Sequence, residues 1–156
     1  MSLRSILLRA YFSQRERAID TFRRHPVETQ ARMFRQLLRR GRRTEFGWRY
    51  NLGRIRTPEQ FASMVETFDY DTFKPYIERM LAGESDVTAP GRVTLFARSS
   101  GTTSDRSKYI PVTRESLWWN HTMGMRDVAT VFSANNPKTR VFEGKTLTLG
   151  GSCSRE

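Results

Sequence analysis

The sequence predicts a mixed α/β fold that begins with a pair of helices. Three observations lead to this prediction: apolar residues at helical spacing over the first forty positions, a strand–loop–strand at 93–112, and a long helix after it. The 156 residues are one domain's worth of chain, with enough aromatic side chains for a core. We divide this domain into segments 1–56, 57–92, 93–112 and 113–156.

The first segment contains two predicted helices, which we expect to form a helical hairpin with arginine-rich outer faces. The first runs from Leu3 to about Arg24. Pro26 suits the first turn of the second helix, and Gly41 ends it after two arginines that favour a helix C-terminus. In the stretch 42–56 the apolar residues follow neither helical nor strand spacing, so it is predicted to be a structured connection. The apolar face of the first helix is expected at Leu3, Ile6, Leu7, Ala10, Tyr11, Ala18, Ile19 and Phe22.

The second segment contains two shorter predicted helices. Thr57 is the expected N-cap of the first, with Pro58 at the first position and Gln60 closing a capping box. The second is expected after Asp71 and should stop at Gly83. Its inner face is predicted to carry Phe73, Ile77, Met80 and Leu81. A turn is expected over 86–91.

The third segment carries the candidate site. Alternating Val93, Leu95 and Ala97 predict a strand, and 109–112 predicts a second one. The loop between them is rich in hydroxyl groups. Its candidate residues are Ser99, Ser100, Gly101, Thr102, Thr103 and Ser104, followed by Lys108. Because hydroxyls and successive backbone N–H groups form anion-binding concavities, we interpret this loop as a cradle for the phosphates of ATP.

Two common phosphate-binding motifs do not fit this loop. A Walker A motif needs Gly-Lys-Ser/Thr after four intervening residues, whereas Arg106 occupies the corresponding place after Gly101. A dinucleotide fingerprint needs three spaced glycines, and the loop has one. An ordinary polar loop, with Lys108 as a solvated lysine at a strand edge, remains the plainer alternative.

The fourth segment is predicted to hold a helix over about 114–133, capped by Thr113 and ended by Asn135-Asn136-Pro137. Its apolar positions are Leu117, Trp118, Met125, Val128 and Phe132. Trp118 and His121 are expected in the core rather than in a substrate pocket. A half-buried strand over 145–149 would need partners, so we expect the chain to be the first part of a longer protein.

All the excess positive charge lies in the first third. Residues 1–56 carry 15 arginines, no lysine and 4 acidic side chains, a net +11, and the remaining residues are balanced. This distribution leaves a basic module for nucleic acid or an anionic surface as the alternative function. Nucleic-acid binding is disfavoured, because the exclusive use of arginine resembles compositional bias and no aromatic side chains interleave with the basic face.

Cysteine and histidine content exclude several other classes. Cys153 is the only cysteine, so neither a disulfide framework nor a cysteine-rich zinc site is expected, and the two histidines, His25 and His121, are too few for a histidine-based metal centre. No apolar run reaches the ~20 residues of a membrane span. We therefore expect a cytoplasmic protein with no membrane partner. Oligomeric state is left open.

The loop and its flanks closely resemble the phosphate-binding signature of acyl-adenylate-forming enzymes. Within them the sequence is most similar to the GH3 family of acyl acid–amido synthetases, and we expect a bacterial-type member. The residues that carry the resemblance are 75–80, Gly83-Glu84, Phe96, 99–103 and 108–111. The resemblance implies a partial N-terminal ATP-binding domain over 1–156, inactive alone, from a ligase that activates a carboxylic acid and transfers it to an amine or amino acid.

The resemblance also implies residue roles. Ser99, Ser100, Thr102 and Thr103 would donate hydrogen bonds to phosphate oxygens, Gly101 would allow close backbone approach, and Lys108 would place a positive charge at the β- and γ-phosphates. Magnesium is expected, with its carboxylate ligand in a later motif of such enzymes. Many relatives have glycine where this chain has Asp105, a residue that tolerates left-handed backbone better than most.

Overall fold

The computed structural model describes residues 3–99, 107–141, 143–145 and 147. These residues are mostly helical and include one small sheet, which is compatible with the predicted mixed α/β class. A turn of π-helix, Leu117–Thr122, lies between the last two helices. The other elements are α1 Leu3–Arg24, α2 Pro26–Gly41, α3 Glu45–Arg49, α4 Pro58–Met64, α5 Tyr70–Leu81, β1 Leu95–Arg98, β2 Tyr109–Val112, α6 Arg114–Ser116 and α7 Met123–Asn135.

Helices α1 and α2 have the predicted bounds, with Pro26 in the first turn of α2. Their packing differs from the expected hairpin, because α1 lies chiefly against α7. Most of the predicted apolar face of α1 is also wrong, although Ile19 is partly buried and the Tyr11 ring contacts Arg126 on α7. Leu3 is 73% exposed and Leu7 is 62% exposed, whereas Phe12 and Arg15 on another side of the helix are partly buried.

Polar contacts explain which face α1 presents to α7. Arg15 Nε lies 2.5 Å from Asp127 Oδ1. The Thr130 hydroxyl, on a residue that is 1% exposed, donates to the Phe12 carbonyl at 3.2 Å. These contacts join positions more than 110 residues apart, so a local count of apolar residues could not identify this face.

The connection 42–56 contains a short helix, α3, that periodicity did not reveal. Thr44 is completely buried and caps it by accepting a hydrogen bond from Gly47 N at 3.0 Å. Gly47 packs so closely on the end of α2 that a Cβ there would lie 2.0 Å from the Gly41 carbonyl oxygen. Five residues are too few for a helical period to be counted.

The capping signal at Thr57 placed the start of α4 correctly, whereas α5 begins two residues earlier than predicted. The Thr57 hydroxyl accepts from Gln60 N, as predicted, although the Gln60 side chain accepts from Arg56 N and so does not close the box at Thr57 itself. Helix α5 begins at Tyr70 rather than after Asp71. The reason is Asp69, whose carboxylate accepts from Thr72 N at 2.8 Å and forms the N-cap.

The described core consists of two adjoining clusters. The first is Tyr76, Ile77, Met80, Val87 and Val93, and the second is Leu38, Tyr50, Leu52 and Ile55. Phe46 and Phe68 pack against both. Leu81, predicted on the inner face of α5, is 42% exposed, and Tyr76 is buried instead.

A tight turn leads from α5 towards the sheet. Gly83 has φ +90, a conformation that favours glycine, and it ends the helix where predicted. The predicted turn at 86–91 is also confirmed, because Asp86 N donates to Gly91 O at 3.1 Å and Gly91 N donates to Asp86 Oδ1 at 2.7 Å.

The predicted strands are present and antiparallel, with Leu95 opposite Val112 and Arg98 opposite Tyr109. Thr113 caps the following helix, as expected, but the π-helical turn interrupts it. Its predicted apolar face is wrong, since Met125 is 73% exposed while Met123, Thr130 and Ser133 are buried. The strand predicted over 145–149 lies largely outside the described residues.

Candidate functional site

The two ends of the hydroxyl-rich loop meet at a hydrogen-bonded neck. Ser99 N donates to Lys108 O at 3.0 Å, and Lys108 N donates to Ser99 Oγ at 3.2 Å. These bonds continue the pairing of β1 and β2 by one step beyond Arg98 and Tyr109. The structure therefore brings together the first and last predicted site residues and closes the loop at its base.

The Ser99 hydroxyl accepts a hydrogen bond within the neck and can still donate one to a ligand. Its oxygen accepts from the Lys108 backbone, but a hydroxyl can also donate its own hydrogen. A phosphate oxygen above the neck could accept that hydrogen. The four other predicted loop ligands, Ser100, Gly101, Thr102 and Thr103, lie outside the described residues, as do Ser104 and Asp105.

Tyr70, at the start of α5, contacts the loop exit in two ways. Its hydroxyl accepts a hydrogen bond from Tyr109 N at 2.9 Å. The Lys108 ammonium lies over its ring, 5.1 Å from the centroid, as in a cation–π contact. The sequence did not identify Tyr70, because its partners are more than thirty-five positions away.

Asp69 places negative charge near the same lysine. The pKa of its carboxyl is lowered mainly by hydrogen bonds from the Thr72 backbone and side chain, and the positive charge of Lys108 contributes in the same direction. The Asp69 carboxylate is therefore held ionised by its capping role. Lys108 thus lies over an aromatic face, and a carboxylate is near enough to interact with it electrostatically.

The segment 75–80, which carries part of the family resemblance, forms one wall of a cleft of about 390 Å³. Arg79 pairs with Glu45 on α3 and with Glu84 after α5. These hydrogen bonds lower the pKa of both carboxyls. Arg49 donates to the Tyr76 hydroxyl at 3.1 Å across the same cleft. Arg79 therefore fastens α3, α5 and the following turn together.

The residues after the loop are more open than expected. Trp118 is 52% exposed and Trp119 is 42% exposed, both within the π-helical turn, and His121 is exposed as well. The predicted core role of Trp118 and His121 is therefore wrong. Cys153 and the glycines at 150 and 151 lie outside the described residues.

The described residues contain neither a cluster of metal ligands nor a helix that could span a membrane. No three His, Cys, Asp or Glu side chains there come close enough to hold a metal ion. Among the described helices, none has the length and apolar character needed to cross a membrane.

Comparisons with known proteins agree with the motif. The model of the GH3 family N-terminal domain matches residues 15–155. The Arabidopsis thaliana indole-3-acetic acid-amido synthetase GH3.2 is 30% identical over 100 residues, which is 64% of this chain and 18% of that protein. GH3.10 of the same plant is 40% identical over 57 residues, 36% of this chain and 10% of that protein.

These matches assign the chain to a protein family and, within it, to one domain. The chain covers less than a fifth of each of these relatives. The relatives are plant proteins, and they give no support to the expected bacterial type. The family model covers most of the chain and includes the strands, the neck and the segment 75–80. The chain therefore belongs to the GH3 family, through its N-terminal domain.

Proposed function

We propose that this chain forms part of the ATP site of an acyl-adenylate-forming amide synthetase. The observation that carries the proposal is the neck, where Ser99 and Lys108 close a hydroxyl-rich loop between two strands. Membership of a family that includes amido synthetases supports the same reaction class. The proposed substrates are ATP, a small carboxylic acid and an amine or amino acid. The proposed location is the cytoplasm.

In the proposed reaction, a carboxylate oxygen attacks the α-phosphorus of ATP and pyrophosphate leaves. The amine then attacks the acyl carbon, AMP leaves, and an amide forms. Neither step needs a covalent nucleophile from the protein, so catalysis depends on orientation and charge stabilisation. The loop hydroxyls would supply hydrogen bonds to the polyphosphate, and Lys108 would stabilise the charge that develops on pyrophosphate.

Lys108 must leave its position over Tyr70, or extend from it, to reach a phosphate. The cation–π contact is worth only about 0.5–1 kcal/mol at an exposed site, so a phosphate can compete for the ammonium group. Magnesium would neutralise further phosphate charge when bound. The described residues offer no cluster of ligands for it, so we assign no step to a magnesium ligand of this chain.

Carboxylate-dependent exchange between pyrophosphate and ATP tests the proposal. The assay should use protein expressed from the full coding sequence. Thr102→Ala combined with Thr103→Ala should abolish exchange, because two phosphate ligands are removed together. Thr21→Ala combined with Ser63→Ala removes two hydroxyls from the helical surface and should leave exchange unchanged. Full exchange in the loop variant would refute the site assignment.

A further inference from the structure

A second cleft, remote in sequence from the loop, is lined by four arginines. It lies between the C-terminal half of α2 and the segment 52–56, and its volume is about 330 Å³. Its rim carries Arg35, Arg39, Arg42 and Arg56, and its apolar floor carries Leu38, Leu52 and Ile55. The floor residues are each at most 7% exposed, so the arginines surround an apolar floor that has little contact with water.

Three of these arginines lack a partner among the described residues. Arg35, Arg39 and Arg42 form no ion pair or side-chain hydrogen bond there, and no carboxylate lines the cleft. Some neighbouring arginines do have an acidic partner, for example Arg40 with Glu115. Arg56 is held in place, because its Nη1 donates to the Gly53 carbonyl at 2.8 Å and to the Ile55 carbonyl at 3.0 Å.

The spacing on α2 brings like charges together. Arg35 and Arg39 are four residues apart and Arg39 and Arg42 three apart, which places neighbouring guanidinium groups on one side of the helix. Such pairs repel each other. The C-terminal end of α2 helps to stabilise the last two of them, but Arg35 lies outside that last turn. An anion in the cleft would relieve the repulsion.

We propose that this cleft binds a compact polyphosphate, a ligand with a short run of phosphate groups. A guanidinium group can bind a phosphate through two parallel hydrogen bonds. The four arginines of the cleft can therefore bind several consecutive phosphate groups of one ligand. A nucleic-acid strand fits less well. None of the residues that line the cleft is aromatic, so bases would have no stacking surface there. This proposal does not depend on the function assigned to the loop.

Inorganic tripolyphosphate is the probe, and isothermal titration calorimetry is the measurement. Because the loop could also bind tripolyphosphate, the protein from the full coding sequence should carry Thr102→Ala and Thr103→Ala. In that background, Arg39→Gln with Arg42→Gln should weaken binding by about tenfold or more. Arg17→Gln with Lys138→Gln removes the same charge from exposed sites outside the cleft and off α2, and should change binding by less than about threefold.

A charge-preserving variant separates geometry from charge and is less prone to misfold. Arg39→Lys with Arg42→Lys should still weaken binding, because lysine cannot form the paired hydrogen bonds, but by a smaller factor than the glutamine variant, because lysine keeps the charge. Binding should also weaken steeply between about 50 mM and about 200 mM salt. Three results would each overturn the proposal: no binding at low salt, equal losses in the cleft and control variants, or binding of a single-stranded oligonucleotide without binding of tripolyphosphate.

Discussion

The Lys108 ammonium lies 5.1 Å from the centre of the Tyr70 ring, next to the point where the Tyr70 hydroxyl accepts the backbone hydrogen of Tyr109. One side chain at the start of α5 therefore contacts both the side chain and the main chain at the loop exit. Helix α5 also contributes Tyr76, Ile77 and Met80 to the core. The loop exit is thus tied to a helix that is anchored in the core.

Substitution of Tyr70 should separate these two contacts. Tyr70→Phe keeps the ring but leaves Tyr109 N without its acceptor, which should cost about 1 kcal/mol of unfolding free energy and raise the KM for ATP. Tyr70→Leu also removes the aromatic face beneath Lys108 and should raise the KM for ATP further. Steady-state kinetics and urea denaturation on the same preparations provide both measurements.

The control for Tyr70 is Tyr11→Phe, which removes the hydroxyl of an exposed tyrosine on α1. Its kinetics and stability should match those of the unmodified protein. If Tyr70→Phe lost stability with no change in the KM for ATP, the hydroxyl would support the fold without positioning the loop.

Acid should weaken the junction that Arg79 makes. Its hydrogen bonds lower the pKa of Glu45 and Glu84 below their ordinary value of 4.5. A carboxyl with a lowered folded-state pKa stabilises the fold above its ordinary pKa, and that contribution disappears as the pH falls through the folded-state value. We expect Tm to fall between about pH 5 and about pH 3, and by less in Arg79→Gln.

Lys74→Gln is the matched control for Arg79→Gln, since it removes another cation of α5 that pairs at the surface with Glu78. It should keep the full acid dependence of Tm. An acid dependence in Arg79→Gln as large as that of the unmodified protein would show that these carboxylates are not its source.

Gly47→Ala should destabilise the contact between α2 and α3 severely. The new Cβ would lie 2.0 Å from the Gly41 carbonyl oxygen, which is backbone and cannot rotate away. We expect a loss of about 3 kcal/mol or more, measured by urea denaturation or seen as loss of soluble protein. Gly53→Ala meets nothing within 4 Å and should be neutral. Equal stability of the two variants would contradict the close approach at Gly47.

Met80→Ala should test which face of α5 forms the core. Met80 is 1% exposed, so its truncation should cost about 2–5 kcal/mol of unfolding free energy. Met125→Ala makes the same change at a residue that is 73% exposed and should alter stability by less than about 0.5 kcal/mol. Thermal and urea denaturation would measure both, and similar losses at the two positions would contradict the burial described here.

Features set by neighbouring residues were predictable from the sequence. Thr57 and Thr113 each cap a helix through a backbone donor three positions later, so their residue types were sufficient. The strands on both sides of the loop were predicted by alternation, and the family by the loop motif. Each of these signals lies within a short window of sequence.

Features set by distant partners were not predictable. Arg79 reaches Glu45 across 34 positions, and Arg15 reaches Asp127 across 112. Apolar spacing therefore indicated mostly the wrong face for α1, because an ion pair and a buried threonine contribute to its contact with α7. In the candidate site, the motif suggested Ser99 and Lys108 as phosphate ligands, and that role stays a prediction. Their mutual hydrogen bonds and the contact with Tyr70 could not be read from the sequence, because they depend on how the strands and α5 are placed.

The neck between Ser99 and Lys108 has a consequence for how the loop can change during evolution. Two hydrogen bonds close the neck: Ser99 N–H donates to the Lys108 carbonyl, and Lys108 N–H donates to the Ser99 hydroxyl oxygen. Neither bond uses an atom of the residues between them. Substitutions or small insertions between them need not disturb the strands. Binding of the proposed phosphate ligand would then be the main selective constraint on that stretch. A residue that leaves this binding intact could replace the glycine of many relatives, as Asp105 does here.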